Sequence, residues 1–364
     1  MTSRERMILT LNREVPDRVP ATLHQWLPYH LDTYMGGMSD IEAFRAVGLD
    51  AAITFYGIAD ETSQQWKTSH STLALDAQGE KTRHTIQTPE GELTYVQEAN
   101  AMTSWMVEPL IKHDEDIFLI KKYRPIPTFR KDLLRKKYEA LGDGGIMRTV
   151  VWGYQGGCWQ DAAELVGTEK LIMATFDNPG WVHELLGILL EQKLEYIDKN
   201  LHNLPVDLVE TGGGAASNTI ISPAMHQEFC LPYDMQMHDA LHGLGYKVVY
   251  HTCGGMLKIM ESLLANGCDA SETLSPIDIG GDIRNEDMLS VKKTLGSAKV
   301  LIGGIDQLTI LPSSEEAIRK EVFDKFEGYG TGGGYIMSAS DHFFDLPASQ
   351  LQIYSDAAKE CTYS

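Results

Sequence analysis

The chain lacks the features that mark secreted, membrane-spanning or disulfide-stabilised proteins. Only five of its 364 residues are cysteine, and they are odd in number and widely spaced, which does not indicate a disulfide framework. No apolar run approaches the length that crosses a bilayer. Residues 1–6 are mostly polar and predict the start of an amphipathic helix, not a signal peptide. We therefore expect a cytoplasmic protein whose reduced thiols stay available to metal ions.

Positive charge is also scarce. Lysine and arginine number 31 against 51 aspartates and glutamates, so the formal net charge is -20. Such a surface repels phosphate backbones and anionic lipids, and we expect neither nucleic acid nor a membrane as a partner. Solubility is the simplest role for this charge. The hydrophobic share of 43% supplies enough side chains for a large core.

Strand-like and helical segments alternate regularly from about residue 145 to the end of the chain, which indicates a parallel sheet. Earlier strand-like segments at residues 19–24 and 50–55 bring the count to about eight, the number in a (β/α)8 barrel. We therefore predict an α/β fold, a TIM-like barrel, as a single domain over residues 1–364. Two β-prone segments around residues 89–91 predict a small antiparallel hairpin, inserted at about residues 60–110.

The strand predicted at residues 246–253 ends in a candidate metal site. Residues two apart on a strand point to the same side, so His251 and Cys253 can direct a nitrogen and a sulfur at one point. Those are ligand types that zinc prefers. Gly254 and Gly255 then allow a sharp turn that leaves the site open. The pair by itself is a weak signal, because free cysteine is commonly a small core residue.

Other predicted strand ends carry polar side chains, and barrel active sites lie at the carboxyl ends of the strands. A zinc site with an open position needs three protein ligands, so His251 and Cys253 require one more. The candidates for the third ligand are Glu210, Glu272, Asp306, Asp341 and His342. We favour His342 or Asp341 as the ligand. Asp306 has the alternative role of capping the turn that follows it.

The same residues supply candidates for acid–base and substrate-binding roles. His342, Asp341 and Glu210 are candidate catalytic residues, with Glu210 alternatively bonding the amides of the glycine turn that follows it. Glu272 is a candidate to contact the substrate or to orient His251 as a supporting carboxylate.

Four further motifs follow one another along the chain. They are Arg4-Glu5-Arg6 with Pro16-Asp17-Arg18-Val19-Pro20, the block Ile221-Ser222-Pro223 to Leu231-Pro232-Tyr233, His251-Thr252-Cys253-Gly254, and Gly333-Gly334-Tyr335-Ile336. Their order resembles the uroporphyrinogen decarboxylase superfamily over essentially the whole chain. The resemblance implies the barrel fold.

The superfamily has two branches, and the motifs separate them. The decarboxylases carry an arginine-rich segment after the first strand, which holds the acidic side chains of the porphyrinogen. Here residues 24–30 read HQWLPYH, without arginine, and many carboxylates need cationic partners. The corrinoid-dependent methyltransferases instead carry a His-x-Cys motif on the strand that corresponds to residues 246–253 here, and they use zinc. His251 and Cys253 match that motif.

The resemblance therefore implies a zinc-dependent methyltransferase that moves a methyl group from a methylated small molecule to a Co(I) corrinoid. A methoxylated aromatic compound is the expected donor, which makes the reaction an O-demethylation. The coenzyme M methyltransferases place a zinc-binding cysteine near the last strand, where this chain has Ser338-Ala339-Ser340-Asp341-His342. The alternatives are a methyl-corrinoid:thiol methyltransferase, running in the other direction, and a decarboxylase of the uroporphyrinogen type.

The corrinoid is expected on a partner. The chain has no Asp-x-His-x-x-Gly motif to hold it, so we expect a separate corrinoid protein to dock transiently over the mouth of the barrel. Trp26 and Trp152 are candidates for packing an aromatic substrate or the corrin face. A homodimer is left open.

Overall fold

The computed structural model describes residues 1–59, 61–77 and 79–363. Its strands, in chain order, are β1 (Ala21–Thr22), β2 (Ala51–Thr54), β3 (Lys67–Asp76), β4 (Gly79–Thr88), β5 (Gly91–Ala99), β6 (Ser104–Glu108), β7 (Gly145–Val150), β8 (Leu208–Gly212), β9 (Lys247–His251), β10 (Ala270–Thr273), β11 (Val300–Ile305) and β12 (Tyr335–Ala339).

Helices follow most of the barrel strands. They are α1 (Ser3–Leu11), α2 (Pro28–Tyr34), α3 (Asp40–Val47), α4 (Asp116–Tyr123), α5 (Lys131–Leu141), α6 (Cys158–Val166), α7 (Thr168–Asp177), α8 (Pro179–Asn200), α9 (Pro223–Met225), α10 (Leu231–Gly243), α11 (Met260–Ala265), α12 (Met288–Thr294), α13 (Glu315–Lys325) and α14 (Ala348–Glu360). In the described ranges no helix is both long and apolar enough to cross a membrane.

Eight strands form one parallel sheet in the spatial order β1-β12-β11-β10-β9-β8-β7-β2. The two end strands meet where the Asp50 N–H donates to the Ala21 carbonyl at 2.8 Å, so the sheet is nearly closed. This confirms the predicted TIM-like barrel. Parallel strands covered by helices are buried on both faces, and β7 to β12 are buried at almost every position.

The interior of the barrel changes from apolar to polar along the strands. At the amino-terminal end the inward side chains form a buried apolar cluster, which Met7 and Leu11 of α1 cover. Two positions later, on the same side of four neighbouring strands, a polar residue follows an apolar one: Arg148 after Ile146, Glu210 after Leu208, His251 after Val249, and Glu272 after Ala270. The apolar layer therefore supports a polar layer near the carboxyl ends.

The predicted insertion is confirmed and is larger than a hairpin. The β4 and β5 strands pair antiparallel through the turn at Thr88 and Gly91, and β3 and β6 extend this hairpin to four strands in the order β3-β4-β5-β6. Ile86 and Leu93 lie opposite each other on it and are buried. One face of the inserted sheet therefore packs onto the rest of the protein.

A buried carboxylate joins the parts of the chain at the seam of the barrel. Asp50 is fully buried, and its carboxylate accepts hydrogen bonds from Arg6 Nη1 at 2.7 Å, Arg18 Nη1 at 3.0 Å and the Ala21 N–H at 3.1 Å. Asp50 thus ties α1, the segment before β1 and the start of β2 together.

We expect Asp50→Ala to lower the free energy of unfolding by about 3–5 kcal/mol, because removing one partner leaves buried charges without compensation. Urea denaturation followed by circular dichroism measures this loss. The matched control is Asp132→Ala, whose carboxylate is 93% exposed and should change stability by less than about 0.5 kcal/mol. Equal losses in the two variants would contradict a special role for Asp50.

Candidate functional site

The polar layer is organised around one buried arginine. Arg148 Nη2 on β7 donates to Glu210 Oε2 on β8 at 2.9 Å and to Glu272 Oε1 on β10 at 2.7 Å. All three side chains are buried. Burial by itself lowers the pKa of Arg148, but the charges of Glu272 and Glu210 raise it above its usual value. The guanidinium therefore stays charged and neutralises part of a pair of buried carboxylates.

The two carboxylates sit in different electrostatic surroundings. For Glu272, burial opposes ionisation, but the charge of Arg148 and the hydrogen bond from His251 hold its pKa well below the usual range. For Glu210, burial and the neighbouring charge of Glu272 raise the pKa. Two carboxyl groups whose pKa values are pushed apart are suited to different roles. Glu272 is an anion, and Glu210 is the group better able to hold a proton.

Glu272 orients the candidate metal-binding histidine. His251 Nδ1 lies 3.1 Å from Glu272 Oε1, and the imidazole is fully buried. His251 Nε2 has no hydrogen-bond partner in the described part of the chain. A carboxylate on one ring nitrogen fixes the ring and directs the other nitrogen toward a ligand. This contact is the one expected of a carboxylate that supports His251.

One ligand atom from each of His251, Cys253 and Asp341 lies within 4.8 Å of the other two. His251 is buried, whereas Cys253 and Asp341 are partly exposed. An imidazole nitrogen, a thiol sulfur and a carboxylate oxygen from two strand ends thus meet at one point. We refer to these three residues as the His–Cys–Asp group.

Two histidines adjoin this group. The ring centroid of His24 lies 4.9 Å from that of His251 and 5.1 Å from that of His342, and His24, Asp341 and His342 form a second set of ligand atoms with the same close spacing. Burial lowers the pKa of His24 to about 3, against the opposing charge of Glu272. His24 is therefore a neutral imidazole. It was not among the predicted site residues, although its place at the end of the first predicted strand was the signal that could have found it.

A polar cavity of about 470 Å³ adjoins the His–Cys–Asp group. Besides Cys253 and Asp341, its lining is mostly small or hydroxylated: Gly214, Ser217, Thr219, Gly254, Ser275 and Gly280. A Cβ atom at Gly214 would lie 2.6 Å from Cys253 Sγ. The absence of a side chain at Gly214 keeps the sulfur accessible from the cavity.

The family is shown by comparison with known proteins. A family model described as uroporphyrinogen decarboxylase (URO-D) matches residues 106–361. The chain belongs to the uroporphyrinogen decarboxylase family. Membership agrees with the motif order in the sequence and with the barrel.

Named members of the uroporphyrinogen decarboxylase family are distant relatives. The uroporphyrinogen decarboxylase of Hydrogenovibrio crunogenus is 27% identical over 203 residues, which cover 52% of this chain and 53% of the relative. That of Aliivibrio salmonicida is 28% identical over 223 residues, which cover 57% of this chain and 58% of the relative. The chain thus spans about half the length of the curated relatives it matches.

Solved structures share the fold of this family member over nearly the whole chain. A methyltransferase from Methanosarcina mazei aligns over 99% of both chains with a TM-score of 0.67 and 15% identity. A B12-independent methionine synthase from Shewanella sp. W3-18-1 aligns over 94% of this chain and 96% of its own, with a TM-score of 0.50 and 10% identity. At these identities the likeness shows the fold.

Other predicted site residues lie outside the His–Cys–Asp group. Trp26 packs edge-on against Phe44 and Phe343 in the core. Trp152 is buried and donates its indole N–H to Glu61 Oε1 at 2.6 Å. Trp26 therefore packs in the core, and Trp152 is held away from the His–Cys–Asp group, in the lining of a different cavity.

The remaining third-ligand candidates have partners of their own. Asp306 accepts the N–H groups of Leu308 and Thr309 at 2.9 and 2.7 Å, so it caps the following turn as the alternative interpretation held. His342 Nε2 lies 3.4 Å from Gln25 Nε2 and 3.8 Å from Asp341 Oδ1. His342 therefore stands at the edge of the cluster, next to the His–Cys–Asp group.

We expect Arg148→Met to lower the free energy of unfolding by about 3–5 kcal/mol, because it leaves Glu210 and Glu272 buried without a cation. Urea denaturation at neutral pH measures the loss. Arg135→Met is the control, since the Arg135 side chain is 47% exposed and should contribute at most about 1 kcal/mol. The idea is wrong if the two substitutions have similar effects. Combining Arg148→Met with Glu272→Gln should recover part of the loss.

Proposed function

We propose that this protein is a zinc-dependent methyltransferase. It takes a methyl group from a methylated small molecule and passes it to the Co(I) corrinoid of a separate corrinoid protein. The observation that carries the proposal is the His–Cys–Asp group at the carboxyl ends of β9 and β12, with its ligand atoms within 4.8 Å of one another. The adjoining polar cavity gives a small substrate access to it.

The residues fit zinc. His251, Cys253 and Asp341 supply nitrogen, sulfur and oxygen, all of which are zinc ligands, and a catalytic site uses three protein ligands with one position open. The buried His251 Nε2 without a partner is the kind of atom that a metal satisfies. We assign the third ligand to Asp341 and not to His342, because the Asp341 carboxylate lies with both other ligand atoms. Zinc, when bound, polarises the departing group as a Lewis acid.

The protein residues then have separate tasks. Glu272 holds the His251 ring through its Nδ1. Glu210, whose pKa is raised by burial and by Glu272, is the first candidate to supply a proton to the oxygen atom that leaves when the methyl group departs. His342, which is one-third exposed beside Asp341, is the second candidate, because burial lowers its pKa against the opposing charge of Asp341. The tasks are distributed over β8, β9, β10 and the segment after β12.

The methyl acceptor comes from outside. A Co(I) corrinoid is a strong nucleophile, so the protein has to position it more than activate it. A corrinoid protein that docks at the carboxyl-terminal face of the barrel and then leaves would carry the methyl group away. Such a transient contact has micromolar affinity, roughly -8 kcal/mol. The structural neighbour from Methanosarcina mazei is described as a methyltransferase, which supports this reading of the barrel.

Decarboxylation is the second candidate, because the curated relatives are named uroporphyrinogen decarboxylases. A substrate with many carboxylates needs free cationic side chains. Arg148, the arginine of the polar layer, is already bound by Glu210 and Glu272, and residues 24–30 contain no arginine. These observations favour methyl transfer. The same metal ligands would also serve a methyl-corrinoid:thiol methyltransferase, which differs in the direction of transfer.

The metal assignment predicts one zinc per chain. His251→Ala and Cys253→Ser should each lose most of the zinc that elemental analysis finds in the purified protein, because two of three ligands do not hold the ion well. Asp341→Asn should weaken zinc binding, as measured by competition with a chelator. The controls are Cys268→Ser and Asp306→Asn, which alter a buried thiol and a turn-capping carboxylate and should keep the metal. Full zinc in both His251→Ala and Cys253→Ser would refute the site.

The reaction is tested with a reduced corrinoid protein and a panel of methylated small molecules, followed by the change in cobalt absorbance. Replacing the proton donor should lower kcat by about 10²–10⁴-fold while zinc content stays unchanged. Glu210→Gln and His342→Gln compare the two candidates directly. Complete turnover of a carboxylated substrate without a corrinoid in any form would sink methyl transfer and favour decarboxylation.

A further inference from the structure

A second cavity, of about 560 Å³, lies between the inserted sheet and the barrel. It shares no lining residue with the cavity beside the His–Cys–Asp group. Large apolar and aromatic side chains from both sides form its walls: Trp66, Tyr95, Met106, Leu110, Trp152 and Tyr154. Ligand pockets are commonly of this size, about 300–1,000 Å³, with mostly apolar walls and a few placed polar groups.

The polar side chains at the floor of this cavity hold one another in place. The Arg124 guanidinium lies over the Trp152 ring, 4.4 Å from its centroid. Glu61 accepts hydrogen bonds from Arg124 Nε at 2.9 Å and from Trp152 Nε1 at 2.6 Å. The indole is therefore held by stacking on one face and by its N–H, and it presents a fixed aromatic surface.

The positive and negative charges at the floor of this cavity are balanced. Behind Arg124, the buried Asp161 lies 3.2 Å from Lys193 Nζ and 3.8 Å from Arg124 Nη1, so two cations face two carboxylates. The Glu61 side chain is 29% exposed. Its Oε1 already accepts from Arg124 and Trp152, whereas Oε2 accepts only from Arg124 Nε among the described residues and can take a further hydrogen bond. Burial raises the pKa of Tyr95 and Tyr154, so both phenols stay neutral. An anionic ligand would find no uncompensated cation among these described residues, whereas a hydroxyl donor would find Glu61.

We infer that this cavity binds a neutral aromatic ring that carries a hydroxyl group, with the ring against Trp152 and the hydroxyl donating to Glu61. Flat rings gain from offset or edge contacts with other rings, and a hydrogen bond to a carboxylate is stronger than one between neutral groups. The inference concerns binding at this cavity and does not rest on the proposed function, because the cavity shares no lining residue with the one beside the His–Cys–Asp group.

The ligand class is tested on the full chain with three probes, by calorimetry and by tryptophan fluorescence. We expect 2-methoxyphenol to bind. We expect 1,2-dimethoxybenzene, which has no donor, and the anion 2-methoxybenzoate to bind about tenfold more weakly, as the loss of a hydrogen bond to a charged group implies. Equal binding of the three probes, or no binding of 2-methoxyphenol, would overturn the inference.

Matched variants locate the site. Thr68 and Ser69 are neighbouring exposed residues on β3, and Thr68 lines the cavity while Ser69 points to the opposite face. Thr68→Trp fills the cavity and should weaken 2-methoxyphenol binding more than about tenfold, whereas Ser69→Trp should leave it within about twofold. Equal affinity in the two variants would show that the ring binds elsewhere.

The binding assay uses neither metal nor corrinoid, so its outcome is independent of the methyl-transfer assay. Binding with the expected pattern and no methyl transfer would keep this site and remove the proposed function. Methyl transfer without the expected binding pattern would keep the proposed function and remove this site.

Discussion

The whole site depends on the compensation of charge inside the barrel. Arg148 lies between Glu210 and Glu272, and each of these groups would be costly to bury alone. Because the guanidinium holds Glu272 as an anion, Glu272 can in turn hold His251 Nδ1. The free Nε2 of His251 is the outcome of this chain of contacts. A candidate metal-binding atom is thus positioned by groups that lie outside the His–Cys–Asp group.

The same contacts give Glu210 and Glu272 different pKa values. Glu210 and Glu272 are both buried glutamates on barrel strands and both contact Arg148. Burial raises the pKa of both groups. For Glu272 the charge of Arg148 and the hydrogen bond from His251 outweigh burial and lower the pKa, whereas for Glu210 burial and the charge of Glu272 outweigh the opposing charge of Arg148. The environment, and not the residue type, moves the two pKa values apart and suits the two glutamates to different roles.

The barrel and the inserted sheet present two cavities of different chemistry. The cavity beside Cys253 and Asp341 is lined mostly by small and hydroxylated residues, and the cavity beside Trp152 is lined by aromatic and apolar side chains over charge-balanced polar groups. Only the second needs the insertion, since β3 to β6 contribute Thr68, Tyr95 and Met106 to its walls. The barrel alone therefore supplies the His–Cys–Asp group, and the insertion supplies one wall of the aromatic cavity.

The sequence by itself determined the alternation of strands and helices, the insertion, and the pairing of His251 with Cys253. All of these follow from periodicity along the chain, which is a local property. The polar layer also has a sequence pattern: on four strands an apolar residue is followed, two positions later, by a polar one. Only the tertiary structure decided that Asp341 and not His342 lies with both partners, that His24 joins the cluster, and that Trp152 belongs to a different cavity. These residues come from strands far apart in the chain, and their distances depend on how the barrel closes and how its loops fold over the mouth.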